Sequence, residues 1–155
     1  MMNEIKTTLS ELKTRFPKYD GQGYEIAGFI WFQGWNDMYG DFPNEYAYNL
    51  ENFIRDVRKE LEVPNLPVAI GVMGQNGFKP AKGNMAIVKK AQFSMNDIAD
   101  FRGNVKAIPT DIYWDKRADE AFPTWRNNLE EWVKIGSDFL KNSKISSHLL
   151  DSEIL

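Results

Sequence analysis

No cysteine occurs in the chain, which excludes disulfides, thiolate metal sites and a cysteine nucleophile while leaving the cellular compartment open. Histidine is nearly absent too. His148 stands alone, so metal centres built from several imidazoles are excluded. No run approaches the roughly 20 apolar residues of a membrane span, and the opening MMNEIKTTLSELK lacks an apolar segment of the signal-peptide kind. A membrane is therefore not an expected partner. Nor is charge of one sign in excess: 19 Lys+Arg against 22 Asp+Glu gives −3, too mild for a polyanion-binding surface, so nucleic acid is not expected either. Internal repeats and low-complexity linkers are missing as well. At 155 residues the chain fits one domain with a real core.

What is present alternates. Residues 3–15 place Ile5, Leu9 and Leu12 at helical spacing with Asn3 as a candidate N-cap, and FPKYDGQG breaks the pattern. The apolar run Ile26–Phe32 reads as a buried strand. Tyr46, Leu50, Phe53, Ile54, Val57 and Leu61 then form one helical stripe, which Pro43 can start and Pro64 must follow. LPVAIGVMG (66–74) reads as a second buried strand that ends in the turn GQNG. Residues 84–99 return to helical spacing through Met85, Val88, Ala91, Met95 and Ile98, and GNVKAIPT (103–110) reads as a third strand. A last helix from about Pro123 carries Trp125, Leu129, Trp132 and Val133, capped near Gly136. Helix and strand in alternation, with strands that are continuous apolar runs, predict an α/β fold: a parallel sheet covered on both faces. Three strands are few for such a sheet. The charged residues Arg55, Asp56, Arg58, Lys59 and Glu60 are expected on the solvated face of their helix.

The run AGFIWFQGWNDMYGDF (27–42) passes directly from strand into Gln33-Gly34-Trp35-Asn36-Asp37. In open α/β sheets ligands bind outside the carboxyl ends of the strands, which is where these groups fall. Asn36 can donate its amide to a developing oxyanion, Gln33 can do likewise or orient a neighbour, and Gly34 permits close backbone approach. Asp37 can orient a base or cap a turn. The plainer reading makes Asn36 and Asp37 turn formers and the tryptophans packing groups.

GFIWFQGWND, a following tyrosine, NLENFIRDVRKEL, LPVAIGVMG and GNVKAIPT, in that order, resemble the sialate O-acetylesterase-like carbohydrate esterases of the SGNH hydrolase superfamily, over about residues 5–138. The resemblance implies a three-layer flavodoxin-like fold, here a partial one, and hydrolysis of acetyl esters on sugars without a cofactor or metal. Gly34-Trp35-Asn36-Asp37 is similar to the family's Gly-x-Asn-Asp block, which makes Asn36 the oxyanion-hole donor, with Gln33 and Gly34 supporting it. Where some relatives carry a glutamate after Gln-Gly, this chain has Trp35, and Asp37 is only a weak substitute. Trp31, Trp35 and Tyr39 are the aromatics expected near a bound sugar.

The rest of the machinery is not visible. A serine nucleophile and a histidine base are needed. The family's nucleophile block, Gly-Asp-Ser or Gly-Gln-Ser-Asn, has no counterpart here, and none of Ser10, Ser94, Ser137, Ser143, Ser146, Ser147 and Ser152 has its setting. His148 lacks the Asp-x-x-His context, because Ile145 stands three before it. Residues 1–138 thus read as the C-terminal portion of the family's domain and 139–155 as an unrelated tail. If Ile26–Phe32 is the third strand of a 2-1-3-4-5 sheet, its apolar edge is unpaired, which invites the missing N-terminal half of the fold or self-association. The isolated chain is accordingly expected to be nearly inactive. Two other functions fit parts of the pattern: a sugar-binding scaffold that kept the fold, or a flavodoxin-like module holding an anion at GQNG (74–77), whose spacing suits neither a dinucleotide nor a Walker loop.

Overall fold

The computed structural model describes residues 1–113. Its centre is a three-stranded parallel sheet of β1 (Phe29–Trp31), β2 (Val68–Val72) and β3 (Val105–Pro109), in the order β1-β2-β3. The register sets Phe29 beside Val68 and Trp31 beside Ile70, and Val68 and Ile70 in turn beside Val105 and Ala107. Side chains alternate along a strand, so these residues share one face. On that face pack the stripes of α3 (Tyr46–Glu60) and α4 (Gly83–Ser94): Tyr46, Leu50 and Ile54 from the first, Val88 and Ala91 from the second. Both crossovers move the chain the same way across the sheet, and right-handed connections then place both helices on the same side. β2 is buried along its whole length, as its unbroken apolar sequence requires.

α3 behaves as its stripe predicts. Its end is a Schellman turn in which Val63 N–H reaches Arg58 O at 3.0 Å and Glu62 N–H reaches Lys59 O at 3.2 Å. Glu62 holds the left-handed position, φ 58°, where glycine is usual. GQNG is a turn closed by Gly77 N–H to Gly74 O at 3.0 Å.

Several expectations are corrected. β1 covers only three residues of the Ile26–Phe32 run and is not buried: Phe29 and Trp31 are half-buried and Ile30 is 52% exposed. It lies at the edge of the described sheet, paired with β2 alone, and an edge strand has no neighbour to cover its flank. β3 buries Val105 and Ala107 and exposes Lys106, as a strand with one face packed on the core does. The N-terminal helix is broken at Glu11 into α1 (Met2–Ser10) and α2 (Leu12–Arg15), begins after Met1 rather than Asn3, and buries no residue fully. Arg58 is not on a solvated face. It is buried, donates to Leu66 O at 2.9 Å and Asn104 Oδ1 at 2.6 Å, and lies 5.1 Å above the Phe101 ring. Burial, helped by the neighbouring Arg55, pulls its pKa down. The expected helix from Pro123, the tail from residue 139 and His148 lie outside the described residues.

Candidate functional site

The strand-to-loop junction after β1 is built on one carbonyl. Gln33 O accepts from the Tyr46 hydroxyl at 2.7 Å and from Gln92 Nε2 at 2.8 Å, so the first turn of α3 and the last turn of α4 converge on it. Gln92 is fully buried, and its Oε1 accepts from Met73 N–H at 2.9 Å, just beyond β2. One amide therefore links the carboxyl ends of two adjacent strands. Gln92 Nε2 also lies 3.2 Å from the Tyr46 oxygen.

Gly34 follows with φ +146°, a conformation side chains rarely adopt. A Cβ there would stand 3.1 Å from both Gln92 Nε2 and Val88 Cγ1 and 3.3 Å from Met73 Cγ, so the close approach expected at this position is made to α4 and to the end of β2. The chain then turns through the short 3₁₀ segment Asn36–Met38. Asn84, in the first turn of α4, secures the far side by donating from Nδ2 to Met38 O at 2.8 Å.

On this platform the Asn36 side chain is exposed and makes no hydrogen bond among the described residues. Gln33 does not share that freedom. Its Nε2 donates to Asp37 Oδ2, so Gln33 orients its neighbour, and Asp37 accepts that bond instead of capping the turn. Trp35 is half-buried, and Tyr39 is 59% exposed on the rim. Trp31 packs on the helix face of the sheet, 6.2 Å from Phe29 and 4.4 Å from Phe53 between ring centroids.

Between β1 and α3 runs a cleft of about 200 Å³ lined by Trp31, Gln33, Asp37, Tyr46, Asn49, Leu50 and Phe53. Burial raises the Tyr46 pKa, opposed by donation from Gln92 and Trp31 and assisted by the Asp37 charge. The Trp31 N–H lies near enough for that electrostatic effect but is buried without an acceptor at hydrogen-bonding geometry. At neutral pH Tyr46 is thus a firmly protonated donor.

Gln92 and Tyr46 matter most to this geometry, and neither was singled out as a site residue from the sequence. Gln92 is a polar residue inside the apolar stripe of its helix, one turn from Val88, and that interruption is the signal that marks it.

No curated protein matches this chain. Among solved structures, a protein from Arabidopsis thaliana shares the fold with a TM-score of 0.61 at 19% identity, over 90% of this chain and 52% of its own. The chain thus spans about half the length of that structure. The family model that matches is described as "Carbohydrate esterase, sialic acid-specific acetylesterase". Its match starts near the N-terminus, at residue 3, and ends at 120, short of the expected 138. Because the match takes in well over half of the sequence, the chain belongs to the family of sialic acid-specific acetylesterase carbohydrate esterases.

Proposed function

We propose that this chain is part of a carbohydrate O-acetylesterase that hydrolyses acetyl esters on sugars, of the sialate or xylan type, by a serine mechanism. Asn36 is its oxyanion-hole donor, and the nucleophile block is absent from this chain. The observation that supports this reading is the Asn36 amide, exposed and without a hydrogen bond among the described residues, just past the carboxyl end of β1 on a loop held from beneath by Gln92 and Tyr46. Attack of a serine hydroxyl on the acetyl carbonyl, with its proton passing to a histidine base, turns the carbonyl oxygen into an oxyanion. An amide N–H carried on a loop whose base is fixed can donate to that charge as it forms. Gln33, Gly34 and Asp37 fix the loop. Trp35 and Tyr39 offer ring faces to the sugar, and the mechanism calls for no cofactor or metal.

The test has two parts. Incubated alone with 4-nitrophenyl acetate, the chain should hydrolyse no faster than background. Robust hydrolysis that Asn36→Ala abolishes would place the nucleophile inside the chain and overturn that assignment. Once joined to the segment carrying the serine block, sought in all frames of the flanking genomic DNA, the enzyme should lose about 10²–10³-fold in kcat on Asn36→Ala. An unchanged kcat removes Asn36 from the oxyanion hole. Calorimetric binding of acetylated xylan or sialosides, with no turnover in the joined protein, would favour a sugar-binding scaffold instead.

A further inference from the structure

Asparagine followed directly by glycine occurs once in the chain, at Asn76-Gly77 in the turn that follows β2. The pair matters because an asparagine can react with its own backbone. The nitrogen of the next residue attacks the side-chain carbonyl carbon, and any side chain on that next residue stands in the way. Every other asparagine precedes a residue that carries one.

The fold leaves this pair open to the reaction. Gly74-Gln75-Asn76-Gly77 is a turn closed by the Gly77 N–H to Gly74 O at 3.0 Å, and Asn76 holds its third position at φ 66°. Among the described residues Glu62 is the other non-glycine residue held in this region, where a side chain is strained. Opening the turn therefore breaks one hydrogen bond and relieves strain at the same time. The Asn76 side chain is exposed, so water reaches it. Its Nδ2 has a single acceptor among the described residues, the Met85 thioether at 3.8 Å, which is a weak one. Neighbouring amides are held far better: Asn84 Nδ2 donates to Met38 O at 2.8 Å, and Asn96 Oδ1 accepts from the Ala107 N–H at 2.9 Å.

We infer that Asn76 is a site of spontaneous deamidation in the folded chain. When the turn opens, the Gly77 nitrogen forms a bond to Asn76 Cγ and the Cγ–Nδ2 bond breaks. The side-chain nitrogen leaves as ammonia, taking the proton of the Gly77 N–H, and a cyclic imide remains. Water then adds to one of the two imide carbonyls and breaks its bond to nitrogen. Attack at Cγ leaves aspartate with the main chain as before. Attack at the backbone carbonyl leaves isoaspartate, in which the main chain runs through the side-chain methylene. Nothing is oxidised or reduced, and water is the co-reactant.

Either product adds a negative charge at the carboxyl end of β2, and isoaspartate also lengthens the main chain between Gln75 and Gly77. Gln75 is 5% exposed, and its Nε2 reaches Met38 Sδ at 3.8 Å, two residues past Asn36. The change thus falls on the turn that lies against the Asn36 loop. This inference goes beyond the esterase reading and does not need it.

Held for weeks in mildly alkaline buffer at body temperature, the full chain should gain acidic species on anion exchange. Peptide mapping should place the mass rise of an amide turned into a carboxylic acid on Asn76, with Asn84 and Asn96 unchanged. The Asn76 peptide should convert in the native chain at a rate within about tenfold of that in urea, because the turn opens locally without global unfolding. A protein isoaspartyl methyltransferase with labelled S-adenosylmethionine should label the aged chain, and Asn76→Gln, which must close a larger ring, should lose most of that label. Asp20-Gly21, whose carboxylate accepts from the Gln22 N–H at 3.1 Å and from its Nε2 at 2.6 Å, is common to both proteins, so the difference between them isolates Asn76. An Asn76 peptide that stays intact overturns the inference, as do equal labelling of the two aged proteins and native protection beyond tenfold. Esterase activity enters none of these measurements, so their failure is separable from that of the proposed function.

Discussion

Gln92 donates from Nε2 to the Gln33 carbonyl at 2.8 Å and accepts through Oε1 from the Met73 N–H at 2.9 Å, so a single side chain in α4 holds the ends of β1 and β2 in register. The two bonds differ in what their loss would leave behind. Gln33 O keeps a second donor, the Tyr46 hydroxyl, while the Met73 N–H has no other acceptor among the described residues. Stranding a buried N–H costs about 1–3 kcal/mol, whereas a single satisfied bond is worth about 1 kcal/mol net. Gln92→Leu should therefore destabilise the chain two to three times as much as Tyr46→Phe. Urea unfolding of the two variants checks the ranking, and equal costs would mean that the Met73 N–H finds water.

Gly34→Ala tests the junction from the other side. At φ +146° any side chain is strained, and the new methyl would press on Gln92 Nε2 and Val88 Cγ1, each 3.1 Å away. Backbone strain of this sort costs about 1–3 kcal/mol. The urea midpoint should fall accordingly, and in the joined enzyme kcat should fall with it, since the strain is relieved by moving the loop that carries Asn36. A variant as stable as the wild type would show that the loop shifts freely.

The opposite sign is expected at Glu62. This residue sits at φ 58° in the Schellman turn that ends α3, with an exposed side chain. Glycine reaches that region without steric cost, although it gives the unfolded chain more freedom to lose. Relief of the left-handed strain, about 1 kcal/mol, is the larger effect, so Glu62→Gly should raise the thermal midpoint by a few degrees. A fall would mean that the glutamate makes up for its backbone through contacts of its side chain.

How far these features can be read from the sequence depends on their range. α3 and β2 are legible because one decisive pattern covers each: a stripe of period 3.6 bounded by Pro43 and Pro64, and an unbroken apolar run buried on both faces. β1 is legible as a strand, and the family resemblance also implies its open edge; its shortness and its exposure are not legible, because its apolar run resembles that of β2. Arg58 misleads because a charge beside other charges on a helix suggests solvent, while its partners lie beyond the helix, the carbonyl of Leu66 eight residues on and the amide of Asn104 46 residues on. The same holds at the site. Gly34 and Asn36 announce themselves in a short block, whereas Gln92 acts across a separation of 59 residues that no local pattern encodes.

Tyr46 joins the loop to the pH dependence of the fold. Burial is the main reason that its pKa is raised, with the Gln92 and Trp31 donors pulling the other way. The unfolded phenol titrates near pH 10. A folded pKa above the unfolded one means that the protonated hydroxyl contributes stability in full below about pH 10, and that the contribution is lost as pH rises through the folded value. The physical loss is specific: the phenolate can no longer donate to Gln33 O, and a buried negative charge forms near Asp37. Stability should therefore drop on passing from about pH 9 to about pH 11, and part of that drop should be missing in Tyr46→Phe. Tyr46→Phe removes only this phenol, so the difference between the two alkaline slopes isolates this residue. Identical slopes would show that water reaches the hydroxyl and that the junction beneath Asn36 is looser than its hydrogen bonds suggest.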